Sequence, residues 1–255
     1  MKQLLIDAGN TRLKWTLLQG SRLGRVRAIE WNARSVDRAA RAVLRTRAGR
    51  VLVCSVAGAP LERALRRAAR HAGLRAPQFV RSTRHAAGVR NGYVQTWRLG
   101  ADRWVAMLGA RALHPGRALC VVDVGTALTL DLVDARGQHR GGLLLPGPTL
   151  MVDSLLNDTA GIRKRAGGAV RGARRSAARF GRSTRAGLLA GSAMACAALV
   201  ERALREARRE LPGHPLLLLS GGGAAQVAPL LTIAHRRVDA LVLHGLALLA
   251  QLDSH

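Results

Sequence analysis

Asp7 closes an apolar run, Leu4-Leu5-Ile6, and is followed by Ala8-Gly9-Asn10-Thr11-Arg12-Leu13-Lys14. A core strand does not need that aspartate. A surface hairpin could use the Asn and the Gly, but the Asp and Lys together suit a phosphate and a metal. Glycine lets backbone N–H groups approach phosphate oxygens, and threonine adds a hydroxyl donor. Lysine supplies a counter-charge, and a strand-end carboxylate can hold magnesium, usually through its waters. The pattern returns at Asp123-Val124-Gly125-Thr126, within "LCVVDVGTALTLDLVD". Both copies read as an apolar strand, a tight turn and a returning strand, the second one residue shorter.

Other phosphate devices are excluded. No Gly-Lys pair occurs, so there is no Walker A loop. The triple glycine Gly221-Gly222-Gly223 places Gln226 where a dinucleotide fingerprint needs its last glycine. It follows a buried strand ending at Ser220, and three glycines exceed the needs of an ordinary strand-to-helix turn.

Several residues have chemistry but an ambiguous setting. Asp102, in Gly100-Ala101-Asp102-Arg103, falls where a helix begins and by position alone is a capping or first-turn acid. Tyr93 is the only tyrosine and follows Asn91-Gly92; alone it reads as a half-buried loop aromatic. Thr184 alone reads as a helix N-cap before "RAGLLAG". The eight histidines show no ligand spacing. Cys54, Cys120 and Cys196 are odd in number, far apart and set in apolar runs, so neither a zinc site nor a disulfide frame is indicated.

The elements that must position these residues follow from periodicity. After the first hairpin come an extended stretch at 24–31, an amphipathic helix over 36–47, the strand "VLVCSV" at 51–56 and a helix over 61–72. After the second come an extended stretch at 138–145, a helical stretch over 183–210, the strand "LLLLS" at 216–220 and a helix over 239–251. Two similar halves of mixed strands and helices predict an α/β protein of two lobes, with ligand in the cleft between them. Pro115 and Gly116 place the boundary near 116, giving lobes 1–116 and 117–255.

Composition adds limits. The 255 residues are 48% hydrophobic but only 3% aromatic, so Leu, Val and Ala must build the core. The net charge is +26, and Lys2, Lys14 and Lys164 are the only lysines. The arginines fall on the wet faces of amphipathic helices, which favours solvated surfaces over a nucleic-acid partner without excluding one. Asp7 interrupts any signal-peptide core, and the uncharged stretch 186–200 is short for a membrane span. A cytoplasmic protein is expected. The segment 163–185 is basic, glycine-rich and free of acids; it reads as a flap that attracts small anions, with a nucleic-acid arm as the rival reading.

Taken in order, the motifs resemble the type III pantothenate kinases, a family that includes the Bvg accessory factor and belongs to the actin, Hsp70 and sugar kinase superfamily. The resemblance rests on "DAGNTRLKW", "NGY" with "LGADRW", "DVGTALTLD", "GGLLLPG", "GRST", "LSGGGA" and "DALVLHGL". One departure is visible: Gln95 and Thr96 stand where the family usually has Asn-Pro.

The resemblance implies two ribonuclease H-like lobes, a homodimer and ATP-dependent phosphorylation of pantothenate, the first step of coenzyme A synthesis. It implies Asp102 as proton acceptor, and pantothenate contacts from Tyr93, Gly100, Ala101, Asp102, Arg103 and Thr184. It implies ATP contacts from the motif Asp7, Ala8, Gly9, Asn10, Thr11, Arg12, Leu13 and Lys14, and from Thr126, Gly221, Gly222 and Gly223. Asp7 would serve magnesium through water, and Asp123 a monovalent cation, potassium or ammonium. The alternatives are a regulatory protein on the same scaffold and a sugar or acetate-type kinase. The presence of Asp7, Asp102 and Asp123 favours the enzyme, and the GxDRW segment favours pantothenate.

Overall fold

The computed structural model describes residues 2–167 and 180–252. Residues 168–179, the middle of the segment read above as a flap, lie outside the described residues. The chain forms β1 (Lys2–Ala8), β2 (Arg12–Gln19), β3 (Arg22–Leu23), β4 (Arg27–Glu30), α1 (Val36–Leu44), β5 (Arg50–Ser55), α2 (Ala59–His71), β6 (Gln78–Val80), β7 (His85–Ala86), β8 (Val89–Arg90) and α3 (Ala101–Leu113). It continues through β9 (Leu119–Val124), β10 (Ala127–Val133), β11 (His139–Pro146), α4 (Pro148–Asp158), α5 (Ala160–Arg165), α6 (Thr184–Glu210), β12 (Leu216–Ser220), α7 (Ala224–Val227), β13 (Arg236–Arg237) and α8 (Leu241–Leu252).

Two compact units result. One comprises Met1–Arg117, Ala135–His139 and Ala240–His255; the other comprises Ala118–Asp134 and Arg140–Asp239. The chain therefore does not divide once near 116. The helix expected at 239–251 in the second half belongs to the first unit. The reason is steric: α8 packs on α3 through Gly109 and Gly245, where a Cβ on either would strike the backbone of the other helix.

In the first unit the sheet order is β3-β2-β1-β5-β6, with β4 also on β2. β1 is central and pairs antiparallel with β2 and parallel with β5. Leu4, Leu5 and Ile6 are consecutive and fully buried, because a strand covered on both faces needs no polar alternation. Leu4 and Ile6 face α1 and α2, which contribute Ala39, Ala40, Val43, Leu44, Leu61, Ala64 and Leu65. The anticipated apolar stripes thus form the core, each large side chain contributing about 1.5–3 kcal/mol. Gly58, at φ 76°, and Pro60 start α2. α8 contacts β1 and β5, and α3 contacts β5 as well as α8.

The second unit repeats the plan with the order β11-β10-β9-β12-β13. β9 pairs antiparallel with β10 and parallel with β12. α6 buries Cys196, Ala197, Val200, Ala203 and Leu204 against the sheet. By length and composition α6 could cross a membrane, but that buried stripe and the charged turn Arg205-Glu206 suit the core helix of a globular unit. Arg163, at the start of the basic segment, is committed: it donates from Nε to the Leu156 carbonyl at 2.6 Å and from Nη2 to the Asn157 carbonyl at 3.0 Å, capping α4.

Candidate active site

The two hairpins differ by one residue in the ladder itself. Asp7 pairs with Lys14 and Ala8 with Leu13, whereas Asp123 pairs with Thr129 and Val124 with Leu128. Both turns close on the glycine: the Gly9 N–H donates to the Arg12 carbonyl at 3.1 Å, and the Gly125 N–H to the Ala127 carbonyl at 2.9 Å. Asn10, Thr11 and Arg12 are exposed at one tip and Thr126 at the other. Ala8 and Leu13 are buried, so their side chains belong to the core and only their backbone could serve a phosphate. Arg12 is paired with Glu30 at 2.9 Å.

Trp31 braces the first turn, a role its sequence position did not reveal. Its Nε1 donates to the Gly9 carbonyl at 2.9 Å, and its backbone N–H to the Thr11 carbonyl at 3.0 Å.

Asp102 occupies the first turn of α3, as expected, behind Gly100. Its Oδ1 accepts the Arg103 N–H at 2.8 Å. A Cβ on Gly100 would lie 2.7 Å from that oxygen, so glycine makes room for the carboxylate. Ala101 is buried beneath it. The Cys54 thiol registers two acids together in this unit. Burial pushes it well above the usual thiol range, and the charges of Asp7 and Asp102 push it further, while Arg81 opposes them.

Arg103 is buried, its side chain turned to Tyr93. Nη1 donates to Tyr93 Oη at 2.8 Å, and the guanidinium carbon lies 5.5 Å from the ring centroid. Asn91 holds the loop before this tyrosine. Its carboxamide donates to the carbonyls of Thr83 and Thr96 and accepts the Tyr93 N–H at 2.9 Å. Thr96, standing where the family usually has proline, contributes its carbonyl to this set.

In the second unit Asp123 ends β9, and a Cβ on Gly125 would lie 3.3 Å from its Oδ2. Gly221, at φ 96°, has Val124 backbone where its Cβ would be, and the Gly223 N–H donates to the Val124 carbonyl at 2.8 Å. Two of the three glycines thus seat the β12 turn on the second hairpin, while Gly222 is exposed. Thr184 is not the N-cap of α6. Ser183 takes that place and accepts the Ala186 N–H at 3.1 Å. Thr184 lines a groove of about 730 Å³ between α4 and α6 with Leu150, Met151, Leu155 and Leu188.

The cation donors are simple. Among the described residues no three His, Cys, Asp or Glu side chains converge, so no all-protein metal cage is built. A magnesium ion that keeps waters and substrate phosphates as ligands needs only one or two carboxylates. Asp7, at the mouth of a turn with Lys14 opposite, fits that requirement, and Asp123 is the same kind of hard oxygen donor in the second unit.

The type III pantothenate kinase family model matches residues 3–206. A type III pantothenate kinase of Aromatoleum aromaticum is 43% identical over 255 residues, covering 98% of each chain. The chain belongs to the type III pantothenate kinase family. Enzymes of this family phosphorylate pantothenate at the entry to coenzyme A synthesis, using ATP and a divalent metal. Solved structures agree on the fold. A Baf family transcriptional activator of Campylobacter jejuni superposes with a TM-score of 0.57 at 18% identity, covering 98% of both chains. A ROK family glucokinase of Streptomyces griseus, solved with glucose and AMPPNP, gives 0.51 at 14% identity over 99% of this chain and 100% of that one. These likenesses mark a sugar kinase-like nucleotide-binding fold.

Proposed function

We propose that Asp102 is the proton acceptor in the ATP-dependent phosphorylation of pantothenate to 4'-phosphopantothenate. Its position at the N-terminus of α3, next to the Arg103–Tyr93 pair, carries this reading. Asp102 takes the proton of the attacking hydroxyl as its oxygen bonds to the γ-phosphorus, and the bond to the ADP oxygen breaks. Arg103 and Tyr93 bind pantothenate, the guanidinium fork suiting its carboxylate. The backbone of Gly100 and Ala101, with Thr184, completes the substrate contacts.

Gly9, Asn10, Thr11 and Arg12 wrap ATP phosphates with the backbone of Ala8 and Leu13, and Lys14 neutralises them. Thr126 contacts phosphate from the second hairpin, and Gly221, Gly222 and Gly223 serve the nucleotide. Asp7 holds magnesium through water, which supplies charge neutralisation at the phosphates. Asp123 holds potassium or ammonium.

The working form is a cytoplasmic homodimer. Support comes from the apolar groove along α6 and from exposed Leu143, Leu144, Leu150 and Leu155. Sedimentation at micromolar concentration should give the dimer mass; a monomer alone would refute it.

The deciding experiment is a phosphorylation assay with ATP across pantothenate, simple sugars and acetate, in sodium, potassium and ammonium buffers at one ionic strength. Turnover of pantothenate alone, faster in potassium or ammonium, is expected. Turnover of a sugar instead would overturn the substrate, and equal rates in the three buffers would overturn the cation site.

A further inference from the structure

His139 opens β11, yet it groups with the first unit and is 1% exposed. Its imidazole lies nearly parallel to the Tyr93 ring, 5.8 Å between centroids and 13° between planes. Its Nδ1 accepts the Gly92 N–H at 3.4 Å. The segment around it is fastened to the same loop. The Arg90 N–H donates to the Gly137 carbonyl at 2.9 Å, and Gln138 Nε2 to the Arg90 carbonyl at 3.5 Å. Gly92 must be glycine because a Cβ there would collide with the His139 carbonyl oxygen.

Tyr93 is thus held from several sides. Asn91 fixes its backbone, Arg103 takes its hydroxyl, and His139 covers its ring. Offset stacking of two flat rings is directional, so it sets the ring's tilt where an aliphatic neighbour of equal volume would only fill space. A recognition side chain turned from its productive orientation weakens substrate binding, and a loss confined to binding raises KM with kcat unchanged.

We propose that His139 is a positioning residue for pantothenate recognition: its buried ring, stacked on Tyr93 and bonded to Gly92, sets the orientation in which Tyr93 and Arg103 meet the substrate. The proposal rests on the assignment of Tyr93 and Arg103 to pantothenate. The ring orientation itself can be measured without that assignment, because Tyr93 is the only tyrosine in the chain.

Two variants separate ring stacking from packing. His139→Phe and His139→Leu both keep apolar bulk and both lose the Gly92 acceptor; only Phe keeps a ring. Protein carrying ¹³C-tyrosine gives one set of tyrosine ring signals. These should stay near wild type in His139→Phe and move or broaden in His139→Leu. The KM for pantothenate should rise about tenfold in His139→Leu and no more than about threefold in His139→Phe, of the order expected for a displaced contact. The kcat and the KM for ATP should stay within about twofold in both.

Identical Tyr93 signals in the two variants would overturn the proposal, as would equal pantothenate KM values. If His139→Leu fails to fold, the same signals and KM in His139→Asn decide, since it also lacks the ring's stacking face. Failure of the wild-type protein to turn over pantothenate, or to shift the Tyr93 signals on adding it, would sink the substrate assignment and with it the recognition role.

Discussion

Asp7 lies directly opposite Lys14 in the β1–β2 ladder, so a carboxylate and an ammonium stand side by side next to the Gly9 turn. The second hairpin has Thr129 opposite Asp123 and no such cation. On the proposed assignment, the phosphate charge is met mainly at the first hairpin.

Replacing Lys14 with Met keeps the stem and removes the charge. A hydrogen bond to a charged group contributes about 1.5–3 kcal/mol. The kcat/KM for ATP should fall about 10–100-fold, with the pantothenate KM nearly constant. Steady-state kinetics with each substrate varied checks this.

Asp102→Asn should lower kcat by about 10²–10⁴-fold without loss of folding, the usual contribution of a general base. Gly100→Ala tests the geometry instead of the group. The added methyl has only 2.7 Å to Asp102 Oδ1, so the carboxylate must move. A fall in kcat approaching ~10²-fold is expected with the acid still present. Unchanged turnover in Asp102→Asn would remove Asp102 from the reaction.

Thr96→Pro should stabilise the chain. Thr96 starts a short 3₁₀ turn, Thr96–Arg98, and Gln95 before it is already extended at φ −106°, ψ 93°. Proline there restricts the unfolded chain at little folded-state cost, about 0.4–1 kcal/mol in favour of folding. Asn91→Ala should do the reverse, because it strips the carboxamide from three backbone partners. Chemical denaturation of the two variants reads both signs.

Stability should fall as pH drops below 6.5. Burial holds the pKa of His244, on α8, below the ordinary 6.5. The unfolded chain therefore binds this proton more readily than the folded one. The contribution is complete above pH 6.5 and is lost as pH falls through the folded value. His244→Gln should flatten the Tm profile across that window. Glu201 acts at lower pH. The Thr232 N–H and hydroxyl hold its pKa below 4.5, so its contribution is lost only as pH falls beneath that.

Local pattern alone disclosed much of this protein. The Asp-x-Gly hairpins, the apolar stripes of α1 and α2 and the strand–turn–helix at Ser220 are short-range features, set by turn chemistry and by the periods of helix and strand. The second hairpin's missing residue is visible in the spelling and reappears in the ladder register. Other relationships could not be read along the chain. α8 follows the second half in sequence but packs on α3, because the Gly109–Gly245 contact joins residues 136 positions apart. Trp31 bracing Gly9, and His139 lying on Tyr93, likewise join residues with no local signal. Thr184 and Ser183 are both cap-type residues in sequence; in the fold Ser183 is extended at φ −149°, ψ 159° and its hydroxyl accepts the Ala186 N–H, while Thr184 is the first helical residue. Periodicity reports which face of an element is buried. Which distant element covers it depends on steric fit in three dimensions, and that fit decided the surroundings of Asp102, Arg103 and Tyr93.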